Sequence, residues 1–306
     1  MLDQVDIILA SVLMDDLIHQ GIKQKENVLG GAGLYALAGA ALFSKVPILV
    51  TGVGKDFSEN VGPWFDKNNL SKNGLRYEPH YTPRNNIDYS NANFRVERVL
   101  FGEDHFKIFE PSAEDLKKVL NYARGIYIFR NLDRHFWERI EEFLKKYKFK
   151  ILWEISSDCC KYEKQNELFK LLNFVNGFSL NLEEAKLIFN FGTEEDIIKA
   201  LQELPVEVVF LRAGARGSYT ITSQQIHFIP SLKTKLVDNT GAGNAYSGAA
   251  LVGMAKGLPP KICGAMGTIS ASETIKQFGP PEVAKILLSS QPNKKLKQIV
   301  SSINSK

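Results

Sequence analysis

Short runs rich in β-branched residues alternate along this chain with longer stretches whose apolar positions recur every three or four residues. The runs are "VDIILASVL", "VPILVTGV", "GIYIFR", "FKILWEI", "VNGFSLN" and "VEVVFLRAG". Such runs read as strands buried on both faces, and the stretches between them as amphipathic helices. The alternation predicts right-handed βαβ units, and so a parallel sheet with helices on both faces. Asp15, Glu154, Asn181, Arg212 and Asp238 stand at strand ends just ahead of a helix. Ligands of open α/β sheets bind outside the carboxyl ends of the strands, which makes all five site candidates by position.

From Asn73 to Phe109 the alternation stops. "NGLRYEPHYTPRNNIDYSNANFRVERVLFGEDHFKIF" has short alternating segments and turn residues without a helical period. It predicts a hairpin or small sheet inserted into the α/β body, suited to a lid; an extended surface loop fits the same pattern.

Composition narrows the class. With 306 residues, 44% of them apolar, the chain can bury a substantial core. No apolar run reaches the roughly 18 to 20 residues of a membrane span. The opening "MLDQVDIILASVLMDD" is acidic where a secretory signal is basic, so an intracellular, cytoplasmic protein is expected. A net charge of +4 is spread out, with a lysine excess in the final "QPNKKLKQIVSSINSK", which reads as a solvated tail and not a nucleic-acid patch. Cys159 and Cys160 are adjacent, Cys263 is remote, and no C-x-x-C occurs, so reduced thiols are expected.

Two glycine motifs carry candidate chemistry. Gly31, Gly33 and Ala36 imitate G-x-G-x-x-A, with Asp56 lying 23 positions after Gly33. That spacing suggests a nicotinamide-dependent oxidoreductase, but the fingerprint needs a buried strand before its first glycine, and "GIKQKENVL" is polar. These glycines can admit a ligand to the backbone or simply let a buried helix pack closely. The second motif follows the strand-like "KTKLV": Asp238, Asn239 and Thr240 lead into Gly241, Ala242 and Gly243, and a helix runs from there to a Gly257 C-cap. Successive amides at that helix N-terminus form a positive nest for a phosphoryl oxygen or a transition-state anion.

Asn181 at a strand end and Glu184 in the next helical turn can hold a hydrated Mg²⁺, or merely cap the helix. Arg212 can meet a nucleotide phosphate, while Gly214 and Gly217 can serve a hairpin alone.

Taken together, "ASVLMDD", "GGAGLYALAGAAL", "TGVGKDF", "LNLEEA", "LRAGARG" and "DNTGAGN" resemble, in order and spacing, the ribokinase or PfkB carbohydrate kinase family. "TPR" at Thr82 to Arg84, "WE" at Trp153 and Glu154, and "SASETIKQFGP" are most similar to its fungal maintenance-of-killer branch. The resemblance covers the whole chain. It implies a ribokinase-like three-layer α/β sandwich, one domain over 1–306, with a mostly parallel central sheet and a β lid from about 12–28 and 76–109.

It also implies roles. Asp15 would grip substrate hydroxyls, with Gly30 and Gly31 lining the pocket. Asn181 and Glu184 would organise Mg²⁺ and phosphate. Arg212, Gly214, Gly217, Thr240 and Thr268 would serve ATP, and Gly241, Ala242 and Gly243 would form the anion hole. Asp238 and Thr240 fall where many members hold a monovalent cation such as K⁺. The lid implies a possible homodimer, with which Tyr77, Tyr81, Tyr89 and Phe94 are consistent; the same residues could equally shield the acceptor in a monomer.

Two positions depart from the pattern. Tyr35 replaces an asparagine that contacts the sugar, and Asn244 replaces the catalytic aspartate. Asparagine has no basic lone pair at neutral pH, and a general base contributes about 10²- to 10⁴-fold. The expectation is therefore a kinase acting on a sugar, nucleoside or small polyol, weakened or using Glu154 or Asp158 as its base. The alternative is a non-catalytic nucleotide- and sugar-binding protein.

Overall fold

The computed structural model describes residues 4–19, 22–91, 94–289 and 291–304. Thirteen strands are present among them: β1 (Val5–Leu9), β2 (Leu13–His19), β3 (Ile22–Gly30), β4 (Pro47–Val53), β5 (Leu75–Tyr77), β6 (Arg84–Asn91), β7 (Phe94–Val99), β8 (Ala123–Arg130), β9 (Lys150–Ile155), β10 (Gly177–Asn181), β11 (Val208–Arg212), β12 (Gly217–Ile221) and β13 (Ile226–Pro230). The α-helices are α1 (Gly31–Ala41), α2 (Gly62–Lys67), α3 (Glu103–Phe109), α4 (Arg134–Leu144), α5 (Gln165–Leu172), α6 (Leu182–Phe189), α7 (Glu194–Gln202), α8 (Ala242–Ala255), α9 (Pro260–Thr274), α10 (Val283–Leu288) and α11 (Gln291–Asn304).

Nine strands form the large sheet in the order β13-β12-β11-β10-β9-β8-β1-β4-β5. It is parallel from β11 to β5, and β12 and β13 add to it antiparallel. Side chains alternate between its faces. Ile7, Ile126, Trp153 and Leu180 pack in the core that includes α4 to α7, whereas Ile8, Leu49, Tyr127 and Phe210 pack in the core under α1, α8 and α9. The expected three layers are thus present.

Helices α1 and α8 are Ala- and Gly-rich and buried on nearly every side, as befits helices without a solvent face. Their backbones touch: a Cβ at Gly39 would overlap the Ala245 carbonyl, and one at Gly248 would overlap that of Ala36. At the head of α8, the ring of Tyr35 from α1 meets Gly241.

The smaller sheet has the order β3-β2-β6-β7, with β2 and β6 parallel and its other pairs antiparallel. Its own core is Leu17, Val28 and Ile87. Strand β5 joins the large sheet, so the inserted stretch is divided between the two.

Three local readings are corrected. "VDIILASVL" is not one strand: β1 ends at Leu9 and the chain turns before β2, because the Ser11 carbonyl accepts from the Gly33 amide at 2.9 Å at the head of α1. The stretch read as lacking helix ends in α3, whose first turn carries Glu103 and Asp104 and whose last carries Lys107, charges that complement the helix dipole. Lys233 to Val237 is not a strand. The large sheet ends at β13, and the Val237 amide donates instead to the Ile275 carbonyl at 2.8 Å.

The small sheet is tied to the body at Asp56. This buried carboxylate accepts from the Thr82 amide and hydroxyl, each at 2.8 Å, which joins the turn after β4 to the start of β6. Burial alone would raise its pKa, but the Thr82 bonds and Asn60 hold it below the usual carboxylate range. A depressed folded pKa contributes stability above the unfolded value of about 3.9, lost as pH falls through the folded value. Melting temperatures measured from pH 6 to pH 3 should therefore drop below about pH 4 in the natural chain. Asp56→Asn should start lower at pH 6 and flatten that acid limb; an unchanged limb would remove Asp56 from its causes.

Candidate functional site

Trp153 and Glu154 face opposite helix layers, since neighbouring strand residues alternate. Trp153 packs with Phe178 and Trp137, so Glu154 turns toward α8. The same alternation brings Tyr127, Ser179 and Arg212 to the α8 side, and the register sets Ser179 beside Glu154. Polar side chains from four adjacent strands thus converge beneath the N-terminus of α8.

The Glu154 carboxylate, 4% exposed, is the hub. It accepts from Arg212 Nη1 at 2.6 Å, from Tyr127 OH at 2.9 Å and from Asn244 Nδ2 at 3.4 Å. Asn244 Nδ2 also donates to Tyr127 OH at 3.1 Å. Because the tyrosine proton goes to Glu154 and the carboxylate can only accept, the amide nitrogen of Asn244 must face both. Its Oδ1 then points away, able to accept a hydroxyl's hydrogen bond but not its proton.

Burial, reinforced by the Glu154 charge, pushes the Tyr127 phenol well above its usual pKa, so it remains a donor. Burial would lower the pKa of Arg212, but the Glu154 and Glu184 carboxylates outweigh it and keep the guanidinium charged. Of the two carboxylates that could replace the missing base, Glu154 meets Asn244. Asp158 is exposed on the turn Ser157–Cys159, where it accepts from the Cys159 thiol. All three cysteines are free and buried, and burial pushes each thiol up, away from the reactive thiolate.

Helix α8 is entered through Gly241 at φ +73°, with the Tyr35 ring pressed against that residue's Cα. Ala242 commits its amide to the Asn239 carbonyl at 3.3 Å, whereas those of Gly243 and Asn244 meet no carbonyl among the described residues. These two amides are open to an anion. Asp15, in β2, is 1% exposed and lies against Gly30, where a Cβ would overlap its carboxylate. Gly31, at φ +82°, leaves no room for a side chain beside the Ser11 carbonyl.

Asn181 and Glu184 make a reciprocal capping box, Asn181 Oδ1 accepting from the Glu184 amide at 2.9 Å and Glu184 Oε2 from the Asn181 amide at 2.7 Å. Arg212 Nη2 lies 3.6 Å from Glu184. Gly214 begins the turn between β11 and β12; Gly217, at φ +134°, abuts the Ile229 carbonyl, so the hairpin alone requires it. Thr268 is buried in α9. Thr240 donates its amide and hydroxyl to Asp238 Oδ1, at 3.1 and 2.7 Å, while the buried Asp238 Oδ2 has no partner among the described residues. An orphaned carboxylate oxygen of that kind fits a cation.

The structure adds residues that sequence reasoning does not reach. Tyr127, Ser179 and Ser247 belong to the Glu154 network, with Ser247 bonded to Ser179 at 2.8 Å and to Arg212 at 3.2 Å. The phase of "GIYIFR" held the signal for Tyr127, since Ile126 and Ile128 claim the other face. Tyr89 suits a subunit contact by sequence, yet its hydroxyl lies 2.6 Å from Thr240 Oγ1 and links the small sheet to the turn before α8. Tyr77 and Tyr81 are exposed, and the Phe94 side chain lies outside the described residues.

Comparison with known proteins agrees with this architecture. An uncharacterized protein of Schizosaccharomyces pombe is 28% identical over 89% of this chain and 84% of its own length. Protein MAK32 of Saccharomyces cerevisiae is 23% identical over 84% of this chain and 80% of its own. Among solved structures, a putative ribokinase II of E. coli in complex with ATP and Mg²⁺ superposes with a TM-score of 0.73 at 17% identity, covering 95% of this chain and 99% of that one. The sequence pattern of the pfkB family carbohydrate kinases matches residues 8–285, and the chain belongs to that family.

Proposed function

We propose that this protein is an ATP-dependent kinase that transfers the γ-phosphoryl group to a hydroxymethyl group of a sugar, nucleoside or related small polyol. The observation that carries this reading is the pair of open amides at the head of α8, those of Gly243 and Asn244, with the Arg212 guanidinium close against Gly243. An anion would bind there, and the acceptor hydroxyl would bind at the Asp15 carboxylate packed on Gly30.

In this reading Asp15 grips acceptor hydroxyls, while the two amides and Arg212 receive the transferring group. Arg212, Gly214, Gly217, Thr240 and Thr268 form the nucleotide side. Asn181 and Glu184 would hold Mg²⁺ through water, and Mg²⁺ when bound supplies charge neutralisation for the phosphates. Asp238 with Thr240 would hold a monovalent cation, K⁺ being the natural candidate. The small sheet, formed by β2, β3, β6 and β7, acts as the lid and excludes water from the acceptor. Its exposed Val96, beside Leu100 and Phe101, supports pairing with a second copy along β7.

The test is release of ADP by purified protein across a panel of sugars, nucleosides and polyols. An acceptor-dependent rate is expected, and Asp15→Asn should lower kcat/KM for that acceptor by about ten- to hundredfold, the loss of one charged hydrogen bond. If no acceptor exceeds the acceptor-free background, transfer is not the activity. A second reading, a binding protein without turnover, is favoured by the engagement of Asn244 with Glu154 and Tyr127. It predicts thermal stabilisation by ATP without ADP release.

A further inference from the structure

Arg212 stands where an incoming anion would need it. Its Nη1 donates to Glu154 and to Ser247, and the same guanidinium lies over the head of α8. A Cβ placed on Gly243 would be 3.0 Å from Nη1 and 3.2 Å from Cζ. An anion bound at the amides of Gly243 and Asn244 therefore meets a guanidinium that already has a carboxylate partner.

We infer that Glu154 is a built-in competitor for Arg212, a resident counterion that a bound phosphate must displace, so that this contact sets how tightly nucleotide is held. The inference rests on the reading above that the Gly241–Gly243 turn receives phosphate. A buried carboxylate that loses a cationic partner needs other donors, or the exchange becomes too costly. Glu154 has them in Tyr127 OH and Asn244 Nδ2, which stay with it when Arg212 turns outward. Arg212 has a second carboxylate near it, with Nη2 3.6 Å from Glu184. The asparagine thereby acquires a role, because an aspartate at 244 would repel the carboxylate that Asn244 supports.

Two substitutions should move nucleotide affinity in opposite directions. Glu154→Gln removes the competitor and frees the guanidinium. Tyr127→Phe removes a donor that the carboxylate needs most once Arg212 has left it. Calorimetric titration with ADP and with ATP in the presence of Mg²⁺ should show binding at least about fivefold tighter in Glu154→Gln. Tyr127→Phe should bind about two- to tenfold weaker than the natural chain.

A purely structural role for Glu154 would weaken binding in both variants, and that result, or an unchanged affinity in a folded Glu154→Gln, overturns the competition while leaving the kinase reading intact. If Glu154→Gln does not fold, Glu154→Asp, whose shorter side chain loosens the contact with Arg212, decides: tighter binding than in the natural chain supports the competition, and equal or weaker binding overturns it. If neither the natural chain nor the variants bind ADP or ATP, the competition and the kinase reading both fall.

Discussion

Moving the negative charge from strand to helix, in the double variant Glu154→Gln with Asn244→Asp, is expected to raise phosphoryl transfer by about 10²-fold or more over the natural chain. Asn244 stands at the head of α8, beside the two open amides, but its amide group cannot accept a proton. The nearest carboxylate, Glu154, has its two oxygens engaged by Arg212, Tyr127 and Asn244 itself. The charge is present but lies one side chain away from where a base would act. Asn244→Asp alone should gain less. It sets a second carboxylate where Nδ2 now lies 3.4 Å from Glu154, and like charges at that separation force one to hold a proton. It should also melt at a lower temperature. The four rates of the double-mutant cycle, measured as ADP release with the best acceptor, should therefore be strongly non-additive. A double variant no faster than Asn244→Asp would show that Glu154 does not govern the base position.

The largest stability effect is expected at Gly241. Its φ of +73° is costly for any residue with a side chain, and an added Cβ would overlap the ring of Tyr35, itself 1% exposed and unable to swing into solvent. Left-handed backbone costs about 1–2 kcal/mol and overpacking about 1–3 more, so Gly241→Ala should lose about 2–5 kcal/mol. Gly257 provides the control, with φ +70° and no atom within 4 Å of an added Cβ. Gly257→Ala should lose only the backbone term, about 1–2 kcal/mol. Denaturant unfolding of both measures the difference, and stabilisation by ATP should vanish in Gly241→Ala alone. Equal losses would mean that Tyr35 yields freely and does not shape the turn.

The tyrosine in that contact departs from the family pattern, and the structure gives it a packing role. A ring seated on Gly241 braces the turn that opens α8. Tyr89 reaches the same turn from the small sheet through Thr240. The small sheet is thereby tied to the loop that presents the amides of Gly243 and Asn244.

Much of this protein was legible along the chain. The six apolar runs each contain a strand of the large sheet, because β-branched segments between helices have few other ways to bury both faces. The glycine turn before α8 and the Asn181–Glu184 cap were equally legible, since turns and caps are local and depend on residues within a few positions of one another. Less visible were segments whose structure depends on a partner. Lys233 to Val237 has the look of a strand but finds no sheet edge and bonds to the end of α9.

What the sequence determined by itself was therefore the kinase-type fold, the turn at Gly241 and the absence of an acid at position 244. Only the tertiary structure decided what faces that asparagine. Tyr127, Glu154, Ser179 and Arg212 come from four strands separated by whole helices, and sheet register with side-chain alternation brings them under one helix end. Hydrogen bonds between side chains so far apart in sequence leave no local pattern, because they arise from packing the strands and α8 together.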